Sequence, residues 1–310
     1  MKPRARAELA ALIGHPVAQS LSPAIFDFLS ARTGRRVEYM ALDVTPSGLG
    51  KALESLCAAG FAGVNVTAPL KERALRLADR VSGEARAIGA VNVLHFDRGR
   101  VFGRNTDAGA FLDALSDGGV KVAGKEAVVF GAGGAARAVC WALDSAGARK
   151  VHVVNRTRRK AEELVKELTR RCRRTTFEAH GWGRSRGSFG TSGLYINATP
   201  VGMEGRVGAS RSFPLEKAKG TAFAFDLVYR PAETPFLRQA GRLGMRTIPG
   251  LGMLIGQALA TWELWFGALP GKSRLKGELE RRLLSGLSSS RRESSVSRRA
   301  PRPRVSSRPR

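Results

Sequence analysis

Hydrophobic residues between Ala7 and Leu269 form short runs typical of β-strands, which alternate with longer stretches of helical periodicity. No repeat of fixed period is present. This alternation predicts an α/β fold. A further helix is predicted over residues 251–266. The predicted strands lie at residues 10–13, 37–41, 63–66, 91–96, 127–130, 151–154, 194–197 and 222–226.

The length of 310 residues is typical of two domains at about 150 residues each. A glycine-rich polar segment at residues 117–124 separates a helical stretch from a new strand. Strand and helix signals resume in alternation after it. We therefore expect the internal domain boundary near this segment.

The composition, 43% hydrophobic and 25% charged residues, is typical of globular proteins. No apolar run approaches the roughly 18 residues that a membrane span needs, and the basic start MKPRAR leads into an apolar stretch too short for a signal peptide. We therefore expect a cytoplasmic protein with no membrane partner. The three widely spaced cysteines predict buried free thiols, with neither a disulfide framework nor a metal site.

The formal net charge is +26, from 52 basic and 26 acidic residues. Such an excess is typical of nucleic-acid-binding proteins, but it is densest at the C terminus, where residues 271–310 hold 13 basic and 3 acidic residues. Because the end of the chain is mostly Ser, Arg and Pro, we predict a disordered basic tail at residues 276–310. We expect no specific nucleic-acid partner. Weak, salt-sensitive binding of polyanions to the tail is kept as an alternative.

The segment AVVFGAGGAARAVCWALDSAG joins a predicted strand to a predicted helix through a glycine-rich turn, the context in which a dinucleotide is bound. Gly131 permits the tight turn, Gly133 lets a pyrophosphate approach the backbone, and Ala136 lets the helix pack on the strand. The helix N-terminus then faces the phosphates. A purely structural turn is the alternative.

The end of the next strand predicts which nicotinamide nucleotide binds. An NAD site commonly carries an acidic residue there, whereas this chain has Asn155 and Arg156, followed by Thr157 and three more cations, including Lys160. Cations at this point suit the 2′-phosphate of NADP. In the alternative interpretation, some of these cations line the solvated first turn of the following helix.

Polar side chains also cluster after strands in the first half, where ligand sites of open α/β sheets lie. Taken singly, each has a structural alternative: Ser22 as the N-cap of a helix starting at Pro23, Asn65 in a turn, Lys71 on a solvated helix face, and Asp107 as an N-cap. Taken together with a dinucleotide site, a Lys and an Asp suit carbonyl reduction, because the reduced oxygen needs a proton from the protein. The cluster comprises Ser20, Ser22, Asn65, Thr67, Lys71, Asn92 and Asp107.

Eight motifs spanning roughly residues 9–270 resemble those of the shikimate dehydrogenases, in the same order. The resemblance implies NADPH-dependent reversible reduction of 3-dehydroshikimate to shikimate, a step of aromatic amino-acid and chorismate biosynthesis. It also implies an α/β substrate domain at residues 1–107 and 244–275, a Rossmann-like NADP-binding domain at 108–243, and a deep cleft between the two. The motifs are GHPVAQSLSP, NVTAPLK, NTD, GAGGAARA, NRT, NATPVGM, DLVYRPAETPFL and GLGMLIGQA.

The same resemblance implies a role for each matching residue. Lys71 is implied to be the proton donor and acceptor, with Asp107 as its partner. The substrate carboxylate is implied to bind Ser20, Ser22 and Tyr229, and the ring hydroxyls to bind Asn65, Thr67, Asn92, Asp107 and Gln257. The implied cofactor residues are Gly131, Gly133, Gly134 and Ala135 for the pyrophosphate, Asn155, Arg156, Thr157 and Lys160 for the 2′-phosphate, and Thr199, Met203, Leu227, Gly250 and Met253 for the ribose and nicotinamide.

Alternatives stay open at this point. One is a quinate/shikimate dehydrogenase that also uses NAD, against which Arg156 argues. Another is a paralogue acting on a related cyclic acid. A homodimer is kept as a candidate assembly.

Overall fold

The predicted alternation of strands and helices is present in the computed structural model, which describes residues 7–183, 189–190, 192–204, 212–218 and 220–297. The first half contains β1 (Glu8–Gly14), α1 (Ser22–Thr33), β2 (Val37–Asp43), α2 (Leu49–Ala58), β3 (Gly63–Val66), α3 (Lys71–Leu77), β4 (Arg80–Val81), α4 (Gly83–Ile88), β5 (Val93–Asp97), β6 (Arg100–Arg104) and α5 (Asp107–Asp117). The second half contains β7 (Glu126–Phe130), α6 (Gly134–Ser145), β8 (Lys150–Asn155), α7 (Arg158–Arg171), β9 (Thr176–Gly181), β10 (Leu194–Asn197), β11 (Phe223–Asp226), α8 (Pro235–Arg242), β12 (Arg246–Pro249), α9 (Leu251–Phe266) and α10 (Lys272–Ser297).

The first sheet has the strand order β2-β1-β3-β5-β6-β4. Strand β1 is parallel to both β2 and β3, while β5 is antiparallel to β3 and β6. Ile13 pairs with Val66, so β1 and β3 end at the same edge of the sheet. The loops that carry the predicted substrate residues therefore leave the sheet side by side.

The second sheet is entirely parallel, with the order β12-β11-β10-β7-β8-β9. The order reverses between β7 and β10, as in the dinucleotide-binding doubly wound fold, in which ligands bind at this reversal. The glycine turn follows β7 at this point. The α/β fold class with a Rossmann-like second part is confirmed.

Helix α9 returns the chain from the second sheet to the first. Its residues Leu251, Ile255 and Trp262 are buried in one cluster with Phe26 of α1. On another side, Gly256 lies close to α5, because a Cβ added there would be 3.3 Å from the Cβ of Ala110. The helix predicted over residues 251–266 is confirmed, and it can carry side chains to the space between the sheets.

The predicted disorder from residue 276 is wrong as far as residue 297, because α10 spans Lys272–Ser297. Leu275, Leu279 and Leu283 recur every four residues and form an apolar stripe, and the last two are buried. Helix α10 packs with this stripe against the cluster that contains α9, and Glu278 pairs with Arg32 at 2.6 Å. The rest of the predicted tail, residues 298–310, lies outside the described residues.

The expectation of buried free thiols is confirmed for two of the three cysteines. Cys140 and Cys172 are buried free thiols as predicted, whereas Cys57 is half-buried. Across the part of the chain that the structure describes, no helix is both long and apolar enough to span a bilayer.

Candidate active site

A cavity of about 500 Å³ lies between the two sheets, a size typical of small-molecule sites. Its lining includes residues that follow the carboxyl ends of β1 and β3 and residues at the reversal point of the second sheet. All nine predicted substrate residues line it. They are Ser20, Ser22, Asn65, Thr67, Lys71, Asn92, Asp107, Tyr229 and Gln257.

Lys71 and Asp107 form an ion pair in the cavity wall, with 2.5 Å between Nζ and Oδ2. Lys71 is the first residue of α3 and Asp107 is the first residue of α5. Their side chains are only 14% and 7% exposed. The solvated helix face considered for Lys71 is therefore wrong, and the pair has the proximity that proton exchange requires.

Asparagine side chains hold Asp107 in place. Asn92 Nδ2 donates to Asp107 Oδ1 and to Thr106 Oγ1, both at 2.9 Å, and Thr106 N donates to Asn92 Oδ1 at 2.7 Å. Asn105 Oδ1 accepts from the backbone N–H groups of Asp107 and Ala108, so Asn105 satisfies the start of α5. Asp107 is therefore not the N-cap, because its carboxylate contacts Lys71 and Asn92 instead.

Three hydroxyl groups meet at the end of the cavity near α1. Ser22 is the first residue of α1 and makes no capping hydrogen bond, so the N-cap alternative is wrong. Its Oγ lies 3.2 Å from Ser20 Oγ. Burial raises the pKa of the Tyr229 phenol, which faces Ser20, so this hydroxyl keeps its proton and can donate to an anion.

Asn65 lies within β3 and is 4% exposed, so the turn considered for it is wrong. Its Oδ1 accepts from Tyr39 Oη at 2.8 Å, and its Nδ2 donates to Thr261 Oγ1 at 3.1 Å and to the Asn92 carbonyl at 3.3 Å. These contacts link β2, β3 and α9. The sequence analysis missed Tyr39 and Thr261. Tyr39 lies within a predicted strand, and Thr261 lies one helical turn after Gln257, whose carbonyl it contacts at 2.8 Å.

The glycine turn after β7 has the shape that a pyrophosphate requires. Gly131 has φ +120°, and a Cβ there would meet the Ala198 carbonyl oxygen at 2.9 Å, so the turn itself needs this glycine. A Cβ on Gly133 would meet nothing within 4 Å, and its backbone is extended, so packing within the protein does not explain this glycine. Space left open beside a helix N-terminus fits a bound phosphate group.

Gly134 connects the glycine turn to the lysine. A Cβ on Gly134 would lie 2.8 Å from the Lys71 Cβ. The start of α6 therefore packs directly on the stem of Lys71. This contact brings the predicted cofactor loop and the predicted proton donor together across the two sheets.

The residues after β8 are exposed, and two of their cations are already paired. Arg158 and Arg159 lie in the first turn of α7 and pair with Glu162 and Glu163 at 2.8 and 3.6 Å. Among the described residues, neither Arg156 nor Lys160 forms an ion pair. The helix-lining alternative thus fits Arg158 and Arg159, whereas Arg156 and Lys160 are free to contact a phosphate.

Six predicted cofactor residues line the cavity, and seven are not among its lining residues. Gly250 packs against the carbonyls that follow β11, since a Cβ there would lie 2.5 Å from the Asp226 carbonyl oxygen. The lining residues are Ala135, Thr199, Met203, Leu227, Gly250 and Met253. The others, at the ends of β7 and β8, are Gly131, Gly133, Gly134, Asn155, Arg156, Thr157 and Lys160.

Asp226, which the sequence analysis did not single out, organises this wall. Its side chain is fully buried and accepts hydrogen bonds from Thr234 Oγ1 at 2.5 Å, Asn197 Nδ2 at 2.8 Å and the Val228 N–H at 2.9 Å. Burial raises the pKa of Asp226 to about 7. Its position as the last residue of the predicted strand 222–226 was the available signal.

Comparison with known proteins agrees with this geometry. Residues 12–94 match the model of the shikimate dehydrogenase substrate binding domain, and residues 114–179 match the shikimate / quinate 5-dehydrogenase model. A relative from Symbiobacterium thermophilum, named shikimate dehydrogenase (NADP(+)), is 43% identical over 261 residues, which are 83% of this chain and 88% of the relative.

Solved structures agree as well. Shikimate 5-dehydrogenase from Thermus thermophilus, in complex with NADP(H) and shikimate, is 41% identical, with a TM-score of 0.75 over 88% of this chain and 99% of that one. Quinate dehydrogenase from Corynebacterium glutamicum, in complex with NAD, is 30% identical, with a TM-score of 0.77 over 87% and 98% of the two chains. The folds, the lengths covered and the identities agree, and this chain belongs to the shikimate dehydrogenase family.

Proposed function

We propose that this protein catalyses the reversible, NADPH-dependent reduction of 3-dehydroshikimate to shikimate in aromatic amino-acid and chorismate biosynthesis. The observation that carries the proposal is the buried Lys71–Asp107 pair, which lies in the cavity wall beside the start of the glycine-turn helix. The named relatives of similar length support the same reaction and cofactor.

The residues on the second sheet fit NADP. The open space beside Gly133 and the N-terminus of α6 would accept the pyrophosphate, and the exposed Arg156 and Lys160 would contact the 2′-phosphate. When bound, NADPH supplies the hydride that reduces the ketone carbon.

Lys71 moves the proton in this proposal. Its Nζ carries the proton that the ketone oxygen needs during reduction, and it takes this proton back in the reverse direction. Asp107 holds the ammonium at 2.5 Å, and Asn92 fixes the other carboxylate oxygen, so the pair is positioned before the substrate arrives.

The remaining cavity residues bind and orient the substrate. Hydroxyl groups of Ser20, Ser22 and Tyr229 would hold its carboxylate, because each can donate a hydrogen bond to an anion. The ring hydroxyls would contact amide and hydroxyl groups, which can donate and accept hydrogen bonds, and a carboxylate, which accepts them. These groups belong to Asn65, Thr67, Asn92, Asp107 and Gln257.

Initial rates with shikimate or quinate, each with NADP or NAD, test the proposal. We expect rapid nicotinamide reduction with shikimate and NADP and rates at least tenfold lower in the other three reactions. Comparable rates with quinate or NAD would instead favour the quinate/shikimate alternative, which the quinate dehydrogenase neighbour keeps open. Folded protein that is silent in all four reactions would contradict the proposal.

The domain limits, 1–107 with 244–275 and 108–243, are part of the same proposal. The burial of α9 with α1 supports assigning residues 251–266 to the first domain. The limit at 244 is too early, because β12 (Arg246–Pro249) pairs with β11 in the second sheet. The homodimer and the cytoplasmic location stay predictions. Sedimentation velocity at several protein concentrations would give the assembly state.

A further inference from the structure

Three metal-ligating side chains meet on neighbouring strands of the second sheet, outside the cavity. They are His152 of β8 and Glu178 and His180 of β9. His152 pairs in register with Glu178, and Val154 pairs with His180. Because alternate residues of a strand share a face, the pairing places all three side chains on one face of the sheet.

The distances between the three ligand atoms match a four-coordinate metal. His152 Nδ1 lies 3.1 Å from His180 Nε2 and 3.3 Å from Glu178 Oε2, and His180 Nε2 lies 3.7 Å from the same oxygen. Zinc bound at about 2.0–2.1 Å separates tetrahedral ligands by roughly 3.3–3.4 Å, whereas adjacent octahedral ligands would lie roughly 2.8–3.0 Å apart. The observed distances bracket the tetrahedral value.

We propose that His152 Nδ1, His180 Nε2 and Glu178 Oε2 bind one Zn²⁺ ion, with water as the fourth ligand. Two imidazoles and one carboxylate are a ligand set that zinc accepts in proteins. No metal site was predicted from the sequence, because the chain has no closely spaced cysteines or histidines. The two histidines are 28 residues apart and meet only through strand pairing.

The surroundings favour metal binding at this point. The ring of Phe189 covers both imidazoles, with centroids 5.0 Å from His152 and 5.2 Å from His180. Glu178 is 41% exposed, so it leaves a route for the ion from solvent.

Nearby charged groups have two effects. They orient the ligands, and the cations among them repel a metal ion. Lys150 Nζ holds Glu178 Oε1 at 2.8 Å, which leaves Oε2 toward the imidazoles. Lys150 and Arg158 face the site as cations, and Glu126 faces His152 as an anion. Without metal, one imidazole nitrogen donates to the other, and Zn²⁺ would take the place of that shared proton.

Zinc titration of the full chain tests the proposal. After treatment with a chelator and dialysis, we expect calorimetry to give one Zn²⁺ per chain, and Zn²⁺ to raise the melting temperature. In His180→Asn and Glu178→Gln the affinity should fall at least tenfold. The matched control is His15→Asn, because His15 is an exposed histidine that also pairs with a carboxylate, Asp43, on the first sheet.

Equal zinc affinity in wild type and His180→Asn would overturn the proposal. Binding of well under one Zn²⁺ per chain would overturn it too. So would a parallel titration with Co²⁺ that gives a thiolate absorption band, because the ion would then be bound by a cysteine. Should a variant fail to fold, imidazole ¹⁵N chemical shifts of the wild type give the answer. They must move on addition of Zn²⁺ for His152 and His180 and stay unchanged for His15.

Discussion

The substrate side of the cleft holds its polar side chains in a buried hydrogen-bond network, whereas the cofactor side offers open backbone and exposed cations. On the substrate side, Asp107 contacts Lys71 and Asn92, and Asn65 contacts Tyr39 and the Asn92 carbonyl. On the cofactor side, Gly133 faces open space, and Arg156 and Lys160 are exposed.

This difference has an energetic consequence. Removing one partner from a buried network leaves a polar group unsatisfied and costs about 1–3 kcal/mol. Replacing an exposed cation changes the free energy of unfolding by about 0.5 kcal/mol or less. Substitutions on the substrate side should therefore affect both stability and turnover, while those on the cofactor side should affect mainly cofactor affinity.

The Lys71→Ala substitution should have the largest effect on catalysis. Turnover should fall by roughly 10² or more, because the reacting oxygen loses its proton donor. The affinity for shikimate should stay within an order of magnitude, since proton transfer matters mainly in the transition state. Steady-state rates and direct binding of shikimate to the variant measure the two quantities separately.

Lys51→Ala is the matched control, because Lys51 is an exposed lysine on α2, which packs against the first sheet. It should leave turnover unchanged. Unchanged turnover in Lys71→Ala would remove this lysine from the chemistry.

Asp226 is an exception to the difference between the two sides, because it is a buried acid on the cofactor side. A pKa of about 7 in the folded state, above its ordinary value of 3.8, means that the folded protein binds the proton more tightly. The stabilisation by this proton is complete below about pH 4 and is lost as the pH rises through about 7. We expect the free energy of unfolding of the wild type to fall by on the order of 4 kcal/mol relative to Asp226→Asn over this range, since one pKa unit corresponds to about 1.4 kcal/mol.

Denaturant unfolding of both proteins at a series of pH values measures this difference. Asparagine has similar shape and does not ionise, so it removes this titration. A constant difference between the two proteins across this range would show that Asp226 keeps the same protonation state in folded and unfolded chains.

Arg156→Asp tests the exposed cofactor side. The KM for NADP should rise roughly 10- to 30-fold, because an acidic group replaces a cation at the 2′-phosphate. The free energy of unfolding should change by about 0.5 kcal/mol or less. Kinetics with NADP and NAD, together with denaturant unfolding, measure both effects.

Arg159→Ala is the control, since Arg159 already pairs with Glu163 on α7. Its KM for NADP should change by less than about threefold. An unaltered KM in Arg156→Asp would exclude Arg156 as the phosphate ligand.

Gly133→Ala should have the smallest effect. Its Cβ would meet no protein atom within 4 Å, so stability should be unchanged, whereas NADP affinity should fall by about fivefold because the methyl group enters the phosphate space. Fluorescence titration with NADPH measures the affinity. Unaltered binding would mean that the phosphate lies elsewhere.

Much of the fold was predictable from local patterns. The strands at residues 63–66 and 194–197 and the helix at 251–266 have the predicted bounds, because apolar periodicity and neighbouring glycines set them. The tail was mispredicted because its basic composition concealed the four-residue spacing of Leu275, Leu279 and Leu283. The roles assigned to the site residues stay predictions until the variants are measured.

Local sequence patterns are enough to establish the α/β class, the strand-glycine-helix unit at Gly131 and the set of polar residues that follow the strands. Which of these side chains touch depends on the three-dimensional fold. Lys71 and Asp107 are 36 residues apart, and Asn65 and Thr261 are 196 apart. The physical reason is that periodicity and turn chemistry act over a few residues, whereas contacts between distant residues depend on strand order, register and the packing of helices between sheets.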